Sequence, residues 1–176
     1  MLKRKSANSF LFFITLCLAQ IFFTENAFAK KQTLGLIEKA LILPENLVVD
    51  AKLDTGADSC SLHADDIKEF EKEGKKFVKF TIVDRYGKKR TVIKEIVRHV
   101  RIKRLNNKSQ IRKMINIGLC LGDVYKIAEV SLVDRGAFNY EMLIGRRYLS
   151  GDFIVDPAIT YTVDPNCNIE KEEKSN

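Results

Sequence analysis

Beyond residue 33 the chain is a succession of short runs in which apolar and polar residues alternate between turn-forming residues, and no stretch of a dozen residues carries an apolar stripe at helical spacing. A period of two buries one face of an extended segment and leaves the other in water, so the pattern commits the chain to strands. A first run, Leu34 to Leu43, stops at Pro44-Glu45-Asn46. A second, Leu47 to Leu53, places Leu47, Val49, Ala51 and Leu53 on one face, and the two predict a hairpin. Phe77 to Val83, the turn Asp84-Arg85-Tyr86-Gly87 and Arg90 to Ile102 predict another. Ile111 to Leu121, Gly122-Asp123 and Val124 to Val133 predict a third, before short strands at Met142-Leu143-Ile144 and Phe153-Ile154-Val155. Strands of this length and spacing predict a mainly β chain closed into a small barrel. Helix is expected only at Asp65 to Glu73 and at a turn over Arg146 to Leu149, and no repeat of fixed period is present.

The amino terminus is of a different kind. Lys3, Arg4 and Lys5 precede an apolar run from Phe10 to Phe23, and Ala27-Phe28-Ala29 places small residues at the cleavage spacing. That is the layout of a secretory signal peptide over residues 1–29, cleaved after Ala29. The run is shorter than the roughly 20 apolar residues a bilayer crossing needs, so no stable span is expected after cleavage. Cys17 lacks the preceding small residues of a lipoprotein signal. Cleavage removes three bases and one acid, lowering the net charge from +7 to +5, and leaves 147 of 176 residues, the size of one ordinary domain. The expected location is periplasmic or secreted. Of the cysteines left, Cys60, Cys120 and Cys167, an oxidising compartment permits one bridge, and spacing does not choose the pair. The last residues, 170–176, are polar and charged and are expected to be a disordered tail.

The chemistry concentrates in Leu53-Asp54-Thr55-Gly56-Ala57-Asp58-Ser59, directly after a predicted strand. A carboxylate that activates water must sit on a tight turn close to backbone; Gly56 permits that approach, and Thr55 offers a hydroxyl to brace the loop. Asp-Thr-Gly alone is weak, because Asp and Gly are ordinary turn formers. A second element adds weight: Met142-Leu143-Ile144-Gly145-Arg146-Arg147-Tyr148-Leu149, an apolar strand ending in Gly-Arg, with Gly145 lying 91 residues after Asp54.

Together the two elements resemble the retropepsins, in which the Asp-Thr-Gly-Ala-Asp strand and a later Ile-Ile-Gly-Arg-type strand cross beneath the active site. Leu53 to Asp58 and Leu143 to Arg146 match that pattern residue by residue. Ser59-Cys60-Ser61-Leu62-His63-Ala64 and Gly151-Asp152-Phe153-Ile154-Val155-Asp156-Pro157 narrow the likeness to the bacterial family that carries the name ATP-dependent zinc protease. The resemblance covers Gly35 to Val163 and implies a retropepsin-like (acid protease) closed barrel over residues 30–169, with one or two short helices. It implies an exported aspartic endopeptidase in which Asp54, Thr55 and Gly56 carry catalysis and Ala57, Asp58, Gly145 and Arg146 support them. Asp58 and Arg146 should form an ion pair, and a flap is expected at Val83 to Thr91, around Tyr86 and Gly87. Only one Asp-Thr-Gly is present, and Asp134-Arg135-Gly136 lacks the bracing hydroxyl. The implied assembly is therefore a homodimer whose two Asp54 carboxylates share a proton, one acting as base on water and one protonating the carbonyl oxygen, with an acidic optimum. The family's cytoplasmic members accompany ATP-grasp glutamate ligases, which extends to the peptide or protein substrate a hint of acidic, glutamate-rich sequence.

The family's name invites zinc and ATP, but the residues call for neither metal nor cofactor. The mature chain has His63 and His99, no His-Glu-x-x-His, a single Cys-x-x-His at Cys60 to His63 and no Gly-x-x-x-x-Gly-Lys-Ser/Thr. Cys60 and His63 are expected to pack or hydrogen-bond behind the Asp54 loop. Val97 to Lys113 holds Arg98, Arg101, Lys103, Arg104, Lys108, Arg112 and Lys113 and no acid. That is either a surface for an anionic substrate or envelope polyanion or the solvated face of strands, and the alternation of Val100, Ile102 and Leu105 with charge favours the latter. Nucleic acid is not an expected partner of an exported chain. The rival readings are a non-catalytic binding or scaffold protein on the same barrel, with Asp54 capping a turn, and, behind it, a zinc-dependent peptidase.

Overall fold

The computed structural model describes residues 30–102 and 109–167. The expected signal peptide over 1–29, the expected tail over 170–176, and Lys103, Arg104, Leu105 and Lys108 of the basic stretch lie outside the described residues. The strands are β1 (Gln32–Gly35), β2 (Ile37–Leu43), β3 (Leu47–Asp54), β4 (Cys60–His63), β5 (Asp65–Lys72), β6 (Lys75–Val83), β7 (Lys89–Glu95), β8 (Arg98–Ile102), β9 (Gln110–Leu121), β10 (Val124–Val133), β11 (Met142–Gly145) and β12 (Phe153–Asp156), and one helix, α1 (Arg146–Leu149), follows β11.

Six strands close on themselves in the order β10-β4-β11-β3-β2-β9, with β9 returning to β10 and β8 added outside β9. This is the mainly β closed barrel that the alternation and the retropepsin likeness imply. Inward positions obey the period of two: Leu47, Val49, Ala51 and Leu53 of β3 face Ala40, Ile42, Leu119 and Leu121 in one core, and each is at most 2% exposed. Burying each of the larger side chains contributes about 1.5–3 kcal/mol, so register is strongly specified, since a slip of one residue would turn the whole set into water.

The barrel has an internal two-fold plan. The antiparallel hairpin β2–β3 leads through residues 55–59 into β4, and the antiparallel hairpin β9–β10 leads through residues 134–141 into β11. β3 runs parallel to β11, β10 parallel to β4, and β4 antiparallel to β11. The loops after β3 and after β10 therefore open at opposite ends of the barrel.

Three expectations change. Asp65 to Glu73, read as helix, is strand β5, so one helix forms among the described residues. Its Glu and Lys favour helix, yet pairing with β6 and the stacking of Phe70 on Phe77, centroids 5.7 Å apart, override that weak preference. The turn that follows places Glu73 and Gly74 at φ 53° and 74°. The run from Leu34 breaks at Leu36, because β1 leaves β2 to pair with β12. The run from Arg90 breaks at Ile96-Val97, and its halves join different sheets, β7 the β5-β6-β7 sheet and β8 the barrel sheet.

Residues 157–167 form a strap across β2. Leu36 donates to Ile159 O at 2.8 Å and Tyr161 donates to Ile37 O at 2.7 Å. Glu38, fully buried, accepts the N–H of Gly35 at 2.7 Å and of Thr162 at 2.9 Å, so its carboxyl oxygens are met by backbone donors. A disulfide between Cys120 and Cys167 closes the strap, leaving Cys60 as the buried free thiol of the described residues.

Candidate active site

Asp54 ends β3, where inward Leu53 gives way to a loop that must leave the sheet. Its Oδ1 accepts two backbone bonds, from Gly56 N–H at 2.9 Å and from Ala57 N–H at 3.2 Å. Backbone donors hold one edge of the carboxylate in a fixed direction. Thr55, expected to brace this loop, instead stands exposed, and its hydroxyl makes no hydrogen bond to the described residues. The bracing comes from the main chain.

The Gly-Arg element supplies the other half of the site. β11 brings Gly145 beside Asp54 in parallel register. A side chain at Gly145 would place its Cβ 2.6 Å from Ser59 O and 2.9 Å from Ala57 O, so only glycine lets the two segments close. Arg146 N–H donates to Ala57 O at 2.8 Å. The expected ion pair is present, with Arg146 Nη2 3.0 Å from Asp58 Oδ1, and Arg146 Nη1 also donates to Gly56 O at 3.3 Å. Arg147 completes a fork on Asp58, 2.7 Å from its Oδ2. Its part went unread in the sequence, although the Arg-Arg doublet was the available signal. Both pairs are exposed and serve to aim the loop more than to stabilise it.

Behind the loop Cys60 is buried, and burial pushes its thiol up to about 11 against the opposing effect of a hydrogen bond with the Gly145 backbone, so it is an inert packing group. His63 lies elsewhere. It closes the far end of β4, where its Nδ1 accepts Arg135 N–H at 2.9 Å. The turn with Tyr86 and Gly87 is tied by Asp84 Oδ1, which accepts Tyr86 N–H at 2.9 Å and Lys88 N–H at 2.8 Å. It stands against the first half of β3, with Arg85 N–H on Val48 O at 3.0 Å and Arg85 Nη1 3.1 Å from Asp50. Asp50 shares the outer face with Asp54, about 13 Å along the strand. Within the basic stretch Arg98 pairs with Glu129, and Lys113 lies 3.6 Å from Glu69, whose carboxylate also meets the His99 ring at 3.1 Å. Among the described residues no three His, Cys, Asp or Glu side chains are grouped to hold a metal ion.

Known proteins place this arrangement in context. The profile of the family described as RimB-like, retropepsin-like aspartic endopeptidase RimB, matches residues 33–166. Curated relatives are named "probable alpha-L-glutamate ligase": the protein of Shewanella pealeana is 28% identical over 128 residues, 71% of this chain and 28% of the relative. That of Desulfotalea psychrophila is 30% identical over 114 residues, 63% of this chain and 25% of the relative. The chain thus spans about a quarter of the length of these curated relatives. Among solved structures, a Legionella pneumophila protein of unknown function (DUF785) superposes with a TM-score of 0.65 at 34% identity, over 77% of this chain and 100% of that one.

Proposed function

This chain belongs to the RimB-like family of retropepsin-like aspartic endopeptidases, and on that footing we propose that it hydrolyses peptide bonds through Asp54. The observation that carries the reading is the geometry of one carboxylate. Its Oδ1 is pinned by two backbone N–H groups, while the loop around it is exposed, so one edge is fixed and the group stays accessible. One chain offers one such acid, and the site is completed by Asp54 of a second copy. Two carboxylates brought within a few ångströms share a proton; the ionised one takes a proton from water as the other protonates the scissile carbonyl oxygen. Exposed Thr55, whose hydroxyl is unengaged among the described residues, is available for a contact about that two-fold axis. Acidic peptides or proteins are the proposed substrates, a reading supported by the relatives named probable alpha-L-glutamate ligase. Export by the 1–29 signal is supported by the Cys120–Cys167 bridge, since such bonds persist in oxidising compartments.

The test is cleavage of a peptide library by the mature chain across acidic and neutral pH, with Asp54→Asn beside it and sedimentation to read assembly. The expected result is acid-favoured, chelator-insensitive cleavage by a dimer, lost in a folded Asp54→Asn chain. Cleavage that persists in Asp54→Asn ends the reading. A native chain that stays monomeric and binds acidic peptides without cutting them would favour the scaffold alternative.

A further inference from the structure

At the end of the barrel away from Asp54, the loop over residues 134–141 is fastened by a histidine. His63 Nδ1 accepts Arg135 N–H at 2.9 Å. A peptide N–H only donates, so Nδ1 carries a lone pair and the ring is neutral with its proton on Nε2. Nε2 lies 3.4 Å from Asp65 Oδ1, and Nδ1 lies 3.9 Å from Asp134 Oδ1. That oxygen now accepts Gly136 N–H at 2.8 Å. The remaining ties of the loop do not involve the ring: Arg135, only 8% exposed, donates from Nη1 to Ser61 Oγ at 2.9 Å and from Nε to Tyr140 O at 3.2 Å. Phe138 lies over the guanidinium, 4.5 Å from its carbon to the ring centroid.

We propose that His63 is a pH-operated latch, which holds the 134–141 loop through Arg135 N–H when the ring is neutral and releases it when the ring is protonated. Protonation converts Nδ1 from acceptor to donor, so it faces Arg135 N–H donor to donor and turns to the Asp134 carboxylate instead. The charged groups around the ring are Asp65 of β5, Asp134 and Arg135 of the loop, and Glu141 just before β11; Arg112 of β9 adds its charge to that of Arg135. The two aspartates offer a protonated ring partners, whereas the Arg135 guanidinium and its abandoned N–H oppose the change. A cavity of ≈ 280 Å³ lined by His63, Val83, Phe138 and Tyr140, among others, gives the loop room to move. The loop runs directly into β11, whose Gly145 is the register partner of Asp54. The latch stands whether or not Asp54 is catalytic.

Hydrogen exchange at the Arg135 amide of the mature chain, corrected for intrinsic rates, tests this between about pH 8 and about pH 5, alongside NMR titration of the His63 ring. Protection is expected to fall about tenfold, with the same midpoint as the ring. In His63→Asn, which keeps an acceptor near the place of Nδ1 and does not titrate, protection stays flat. Differing midpoints, a fall that survives in His63→Asn, or a ring proton on Nδ1 at about pH 8 overturns the proposal. Should His63→Asn fail to fold, the two midpoints in the native chain decide alone.

Discussion

The loop after β3 and the loop after β10 are built on one plan. In each, the aspartate where a hairpin strand ends accepts at Oδ1 the N–H of a glycine two residues on, at 2.9 Å for Gly56 and 2.8 Å for Gly136. Each leads into one of the two central strands that the two-fold plan exchanges. They part at the residue between. Thr55 points away from any partner among the described residues, and Asp54 gains a second N–H from Ala57. Arg135 instead folds inward onto Ser61 and Tyr140, leaving Asp134 with its side chain 87% exposed. What sets the first turn apart is the second N–H on its carboxylate and the Gly145-Arg146 segment packed beside it. The turn alone is scaffolding.

The widest separation of the two loops should come from their acids. Asp54→Asn is expected to lower peptide cleavage by about a thousandfold or more, whereas Asp134→Asn, measured in the same assay, should leave it within about twofold. Equal losses would erase the distinction. The glycines sharpen it next. Gly145→Ala drives a Cβ into the carbonyls of Ser59 and Ala57 and should cost about 1–3 kcal/mol in denaturant unfolding, with activity falling alongside. Gly136→Ala meets only Asp134 Oδ1, at 3.2 Å, and should cost well under about 1 kcal/mol. Arg135→Ala leaves Ser61 Oγ and Tyr140 O without their donor, and a loss of about 1–3 kcal/mol is expected in the same melts. The smallest effect belongs to Asp58→Asn. Its two arginines are exposed, so stability should shift by no more than about 1 kcal/mol and less in high salt, while the rate of cleavage reports how far they aim the loop.

Much of this was legible residue by residue. Leu47, Val49, Ala51 and Leu53 declared both a strand and its buried face, and the same reasoning located β6, β9 and β10 and their turns. The Asp54 loop and the Gly145-Arg146 strand were legible as a pair through their likeness to the retropepsin motifs, whereas the close approach that demands glycine at 145 came only with the barrel. β5 was not legible, since Asp65 to Lys72 is exposed along nearly its whole length and its strand character comes from β6. Nor was the role of Arg135: an arginine in a turn reads as solvated, and only the Ser61 hydroxyl and Tyr140 carbonyl, supplied by other segments, draw it inside.

Local pattern determined by itself where the chain is extended, where it turns and which acid stands at a glycine turn, because alternation and backbone freedom act over a few residues. Three matters waited for the closed barrel: that Cys120 bonds Cys167 and spares Cys60, that Arg147 joins Arg146 on Asp58, and that His63 serves the 134–141 loop instead of the Asp54 loop. Each depends on strand register between residues far apart in sequence, and register is set collectively by the core that all six strands bury together.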